Sequence, residues 1–203
     1  MHLSPSFAGV ILAAGSSSRM GQDKALLPWG GGTFLSSAID ALQPYTELII
    51  VVAGENEANL APIVYADAAY LVRNPKPQDG QFSSLRIGLE AVLNRGRDAA
   101  IVTLVERPAP GLPIIEQLKN EFLNTGGQIW AVVPEFSGKH GHPIVIGREM
   151  IEAFLRASAG STARDVEHAQ QNHIRYVAVA DPVVVVNINT PQDFEQLHIG
   201  QTS

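Results

Sequence analysis

Residues 8–14 read Ala-Gly-Val-Ile-Leu-Ala-Ala, an apolar run without a polar interruption. A strand of that pattern has to be covered on both faces, which places it inside a mostly parallel sheet flanked by helices. Comparable runs recur at Leu48–Ala53 and Ala99–Val105, with shorter ones at Tyr70–Arg73, Ile129–Val133, Pro143–Ile146, Arg175–Ala180 and Val183–Val186. Between the runs, Thr33–Leu42, Ser83–Asn94, Leu112–Leu123, Arg148–Ala157 and Thr162–Gln171 read as helices, the first two from apolar residues at helical spacing. Thr190 before Pro191 predicts a last helix over Pro191–Leu197, and Glu135–Gly141 reads as a loop. Strand and helix alternate, so the expected fold is a single α/β domain in three layers, with right-handed crossovers. Its expected span is residues 1–203, with an ordered core from about residue 7 to residue 198.

On such a sheet, ligands bind outside the carboxyl ends of the strands. Four loops that follow strands carry unusual residues: Gly15–Lys24, Asn74–Ser84, Glu106–Pro108 and Asn187–Pro191. The first reads Leu12-Ala13-Ala14-Gly15-Ser16-Ser17-Ser18-Arg19-Met20-Gly21-Gln22-Asp23-Lys24. Small residues let a ligand approach the backbone N–H groups, and Gly15 and Gly21 can adopt positive φ. Arg19 and Lys24 supply charge for a polyphosphate, and fixed cations stabilise developing phosphate charge better than mobile water does. Two common phosphate loops are excluded. Five residues separate Gly15 from Gly21 and Gln22 follows, which is not a P-loop, and no G-x-G-x-x-G is present.

Composition narrows the ligand. The net charge is −6 and no long basic run exists, so a nucleic-acid polymer is not an expected partner. The chain has no cysteine, hence no disulfide and no thiolate zinc site. No apolar stretch is long enough to span a membrane, and Met1–Pro5 has neither a basic nor an apolar leader segment, so a cytoplasmic location is expected.

The pattern Leu-Ala-Ala-Gly-x-x-x-Arg-Met-Gly-x-x-Lys resembles the signature of nucleotidyltransferases with a glycosyltransferase-A-like, Rossmann-like fold. It is most similar to the branch that acts on molybdenum cofactor, of cytidylyltransferase and guanylyltransferase types. The resemblance implies that Leu12, Ala13, Ala14, Gly15, Ser16, Ser17, Arg19, Met20, Gly21 and Lys24 bind the nucleotide, with Lys24 and Arg19 catalytic. It extends to Asn74, Gly80, Ser83 and Ser84 as residues bordering the nucleotide, although the two serines also suit a helix cap. Glu106, in Leu-Val-Glu-Arg-Pro, stands where the family has an aspartate that binds Mg²⁺. With Asn189 of Asn-Ile-Asn-Thr-Pro it forms the implied metal pair, and the same residues also suit a surface glutamate and a helix cap. Gly141-His142-Pro143 resembles the segment that faces the acceptor, and Arg164 of Ser-Thr-Ala-Arg-Asp is a second acceptor candidate. The implied reaction moves CMP, or GMP, from CTP or GTP to the phosphate of molybdopterin or a related acceptor, with Mg²⁺ as cofactor and release of pyrophosphate. A molybdoenzyme or its chaperone is a further implied partner. A sugar- or polyol-phosphate acceptor is one rival. A nucleotide-binding regulator or chaperone with impaired turnover is another, because glutamate replaces the usual aspartate.

Overall fold

The computed structural model describes residues 4–16, 20–158 and 160–201. It begins with β1 (Phe7–Leu12), a short hairpin of β2 (Pro28–Trp29) and β3 (Gly32–Thr33), α1 (Phe34–Leu42), β4 (Leu48–Ala53), α2 (Glu57–Ala66) and β5 (Tyr70–Arg73). Next come α3 (Gln81–Asn94), β6 (Ala99–Leu104), α4 (Leu112–Leu123), β7 (Ala131–Phe136), β8 (Lys139–His140) and β9 (Ile144–Gly147). The chain ends with α5 (Arg148–Arg156), α6 (Ala163–Ala169), β10 (Ile174–Ala178) and α7 (Pro191–Gln201).

The main sheet runs β10-β7-β9-β6-β1-β4-β5, with β8 attached to β7. β1 lies inside it, parallel to both β4 and β6, and every residue of β1 and β6 is buried. Successive side chains of a strand point to opposite faces, and the core divides accordingly. Phe7, Ile11, Val51 and Ile101 meet Leu35, Ile39, Leu60, Ile115 and Leu118 from α1, α2 and α4. Ala8, Val10, Val52 and Val102 meet Leu85, Leu89, Met150 and Phe154 from α3 and α5. This is the expected three-layer α/β domain with a mostly parallel sheet.

Local chemistry fixes several ends. Thr33 and Ser36 form a reciprocal capping box at α1, and Thr162 and Asp165 do the same at α6; such caps satisfy the first free N–H groups of a helix. At α7 the Thr190 hydroxyl accepts from the Asp193 N–H at 3.2 Å, as the cap expected there.

Four features differ from the sequence expectation. Val183–Val186 is not a strand but follows Pro182 into a 3-10 turn, Pro182–Val185, because the Asp181 carboxylate accepts from the Val183 N–H at 2.9 Å. Helix α2 was not expected: it contains Pro62 and buries only Leu60 and Val64, so its apolar pattern is weak. Glu135–Gly141 is partly a hairpin, with Glu135 paired to His140 and Phe136 to Lys139. Ser137 and Gly138 turn it, both at positive φ as a tight hairpin requires. Finally, β9 is antiparallel to both β6 and β7.

Candidate nucleotide-transfer site

The loop after β1 returns to the sheet through one 3-10 turn, Lys24–Leu26. Asp23 caps the turn, accepting from the Ala25 N–H at 3.0 Å, and its other oxygen accepts from Asn56 at 2.6 Å. Asn56 also donates to the Ala13 carbonyl at 2.9 Å and accepts from the Gly54 N–H at 3.0 Å. The end of β1, the end of β4 and the lysine turn are therefore tied together by two side chains.

Lys24 is only 9% exposed. Its ammonium donates to Glu106 Oε2 and to Asn189 Oδ1, each at 3.0 Å. Glu106 follows β6, and its carbonyl accepts from the Ile188 N–H at 2.9 Å, which fixes the Asn189 segment against it. Asn189 is held in turn by α7: Asp193 accepts from the backbone N–H groups of Asn189 and Thr190 at 2.9 and 2.8 Å. Those bonds, with a smaller contribution from the Lys24 charge, hold the Asp193 carboxyl below its usual value. Three residues far apart in sequence thus converge on one point at the carboxyl ends of β1 and β6.

That point opens into a cleft of about 260 Å³. Leu12, Ala14, Gly15 and Ser16 line one side, Gly80, Gln81 and Ser84 another, and Asp23, Lys24, Glu106 and Asn189 the rest. A second cleft shares Gly15, Ser16 and Asp23 and continues to Gly21 and Asn56. Of the two glycines able to adopt positive φ, Gly21 does so at +69° and Gly15 does not; a side chain added at Gly15 would meet nothing within 4 Å. Ala13 and Met20 face the core instead of the clefts and anchor the two ends of the loop. Ser17 and Arg19 lie outside the described residues.

Asn74 is buried, and its amide donates to Ser83 and Ser84 at 2.8 and 2.9 Å while accepting from the Lys76 N–H. Its hydrogen-bonding capacity is thereby used inside the protein, so its part is to shape the loop that carries Gly80 and Gln81. Ser83 donates to the Gly80 carbonyl at 2.7 Å and faces away from the lysine cleft; Ser84 lines it.

A third cleft, about 1050 Å³, adjoins the first across Leu12, Gly80 and Gln81. His142 and Arg164 both line it, together with Arg86 and Arg107. Arg107 donates to the Val184 carbonyl at 2.8 Å, and the backbone N–H of His142 donates to the same oxygen at 2.9 Å. Burial, and then the Arg107 charge, push the His142 imidazole down to about 3. It is therefore neutral at physiological pH. Below the ordinary histidine value of 6.5 the unfolded chain binds a proton that the folded chain refuses, so stability falls with pH between 6.5 and about 3. Lowering the pH from about 7.5 to about 5 should cost about 2 kcal/mol through this group. Urea unfolding at the two pH values checks it: His142→Asn should lose that part of the pH slope.

Sequence reasoning missed Asp23, Asn56, Arg107 and the carboxylate Glu167 in the third cleft. Asp23 beside Lys24 and Arg107 beside Glu106 were findable as charged neighbours of chosen residues; nothing in the sequence marks Asn56.

The site's donors toward a cation are hard oxygens, the Glu106 carboxylate and the Asn189 amide. No group of three histidine, cysteine or acidic side chains among the described residues forms a metal cage. That set fits Mg²⁺, which commonly binds through one or two carboxylates plus substrate phosphates. No helix among the described residues is long and apolar enough to cross a membrane.

A model of the MobA-like NTP transferase domain matches residues 9–193. Among curated proteins, the molybdenum cofactor cytidylyltransferase of Escherichia coli K12 is 28% identical over 193 residues, covering 91% of this chain and 92% of that one. The molybdenum cofactor guanylyltransferase of Xanthomonas euvesicatoria pv. vesicatoria is 30% identical over 203 residues, covering 97% of each. Among solved structures, Rv0371c from Mycobacterium tuberculosis H37Rv superposes with a TM-score of 0.77 at 22% identity, covering 95% of this chain and 97% of that one. A second structure of it is a complex with manganese, at TM-score 0.72 and 19% identity over the same shares.

Proposed function

This chain belongs to the MobA-like NTP transferase family, as a nucleotidyltransferase of the molybdenum cofactor cytidylyl- and guanylyltransferase kind, and we propose that it moves a CMP or GMP unit from CTP or GTP to the phosphate of molybdopterin or a closely related acceptor. The observation that carries this reading is the meeting of Lys24, Glu106 and Asn189 in a cleft that opens directly onto a second one lined by His142 and Arg164. A donor site and an acceptor site that share a wall can bring two phosphates together.

The residues divide the work as follows. The loop Leu12–Gly21 and the start of α3 receive the triphosphate and the nucleoside. Lys24 turns its ammonium to the α-phosphate and the departing pyrophosphate, where negative charge gathers in the transition state. An acceptor phosphate oxygen attacks the α-phosphorus in line; one phosphorus–oxygen bond forms, the bond to the bridging oxygen breaks, and pyrophosphate leaves with its electron pair. The attacking oxygen is already ionised, so no general base is needed. Positioning and electrostatics carry the reaction, as in other phosphoryl transfers. Glu106 and Asn189 are the residues that would hold Mg²⁺, which supplies positive charge to the phosphates when bound. Both oxygens accept from Lys24 in the structure, so the ammonium must swing off them when it turns to the phosphates.

The test is a pyrophosphate-release assay with purified protein, Mg²⁺, each NTP and a panel of acceptors. Turnover with CTP or GTP is expected only when molybdopterin is present. Turnover with sugar or polyol phosphates but not molybdopterin would replace the acceptor, and NTP binding without turnover on any acceptor would favour the regulator reading that Glu106 raises.

A further inference from the structure

The third cleft contains a carboxylate that the transfer step leaves unused. Glu167 stands on α6, one turn after Arg164, and lines the cleft. It accepts no hydrogen bond from any described residue, yet its oxygens are not sealed off as those of an orphaned core group would be. Burial raises its carboxyl, and the Arg164 charge offsets part of that rise without an ion pair forming. A half-buried carboxylate that no protein donor meets leaves both its oxygens free to accept from a ligand that enters the cleft. Around it the wall of the cleft is mixed: Phe82, Leu85, Leu104 and Ile144 are apolar, Arg86, Arg107 and Arg164 are cationic, and serine and threonine hydroxyls with Asp79 complete it. Such a cleft suits a ligand with an anionic end, a flat uncharged body and an edge of N–H donors. A carboxylate only accepts hydrogen bonds, and its two oxygens match two adjacent N–H groups.

We propose that Glu167 determines acceptor specificity: its carboxylate takes the paired N–H donors of a 2-aminopyrimidin-4-one edge, as a pterin presents, while the acceptor's phosphate lies toward Arg107. This rests on the third cleft being the acceptor's, as argued above. The Glu106 carboxylate of the lysine cleft lies near enough to act on the Arg107 charge, whereas Glu167 lines only the third cleft, so the phosphate end is set toward the lysine cleft and the N–H edge away from it. Guanine in GTP carries the same donor edge, and the experiment separates the two sources.

Calorimetric titrations compare four probes: 6-hydroxymethylpterin phosphate, its lumazine analogue in which a carbonyl replaces the 2-amino group, GTP, and ITP, which lacks guanine's 2-amino group. CTP is titrated alongside to report that the lysine cleft is intact in each variant. The native chain should prefer the pterin over the lumazine by about tenfold to a hundredfold, the loss expected when a charged hydrogen-bonding group is left unmatched. Glu167→Gln should abolish or reverse that preference, because an amide accepts from only one of the pterin's two donors and offers its own N–H to the lumazine carbonyl. Equal binding of the two pteridines by the native chain, or an undiminished preference in Glu167→Gln, overturns the proposal. A Glu167→Gln effect that falls on GTP against ITP also overturns it, by giving the edge to the donor base. If CTP or GTP binds and neither pteridine does, the assignment of Glu167 fails while the donor chemistry stands. If no NTP binds but the pteridine preference follows Glu167, the specificity residue stands and the donor reading fails.

Discussion

Lys24→Met should lower the turnover number by about a hundredfold to a thousandfold, the range seen when one fixed donor to developing charge is removed. Methionine keeps most of the lysine stem and removes the ammonium that reaches Glu106 and Asn189, each at 3.0 Å. The effect has two parts that different measurements separate. Loss of charge at the phosphates lowers both NTP affinity and turnover. Loss of the two hydrogen bonds leaves Glu106 and Asn189 without their common donor, but Glu106 is 27% exposed at its side chain and water can replace part of the bond. Stability should therefore fall by no more than about 2 kcal/mol, near the cost of an unmade bond to a charged group. Urea unfolding gives that term, and single-turnover kinetics give the other. Arginine is not a conservative replacement here, because its broad planar fork does not fit a buried point of contact between two side chains.

Gly141→Ala should destabilise the protein by about 3 kcal/mol, the upper end of the usual cost of overpacking. A Cβ at Gly141 would lie 2.4 Å from the Val184 carbonyl oxygen and 2.8 Å from its carbon. Both atoms are backbone, so no side-chain rotation relieves the clash and the Pro182–Val185 turn must move. That carbonyl also accepts from Arg107 and from the backbone N–H of His142. One methyl group thus disturbs two of the residues that line the third cleft, Arg107 and His142. The expected signature is a lower urea midpoint together with an acceptor KM raised about tenfold, while the NTP KM changes much less. A uniform loss of both affinities would instead mean that the whole sheet end had shifted.

The parts of this molecule that the sequence announces are those where one local rule acts alone. β1, β4 and β6 are apolar on both faces, and their limits differ from the expected ones by two residues at most. Thr33 and Thr162 mark their helices because a cap is a contact between neighbours in sequence. Val183–Val186 misleads for the opposite reason: its β-branched side chains favour a strand, but Pro182 and the Asp181 cap decide the backbone before any partner strand does. The antiparallel setting of β9 has no local signal, since direction in a sheet is decided by the whole chain path. The site follows the same division. Lys24 and Gly15 stand in a contiguous motif, and the motif places them in one cleft. That Lys24 bridges Glu106 and Asn189 depends on residues 82 and 165 positions away, and no spacing rule reports it. Asn56 is still harder to find, because its role is to bind the Ala13 carbonyl and Asp23 across two strand ends.

In the proposed reaction the small-residue loop after β1 holds the triphosphate of an NTP over Lys24, and calorimetric titration with CTP and GTP in the presence of Mg²⁺ tests this most directly. One nucleotide should bind per native chain, with an affinity at least about tenfold weaker in Lys24→Met, as expected when a charge-assisted contact is lost. Heat of binding from neither nucleotide, or equal affinity in the native and Lys24→Met chains, would contradict it.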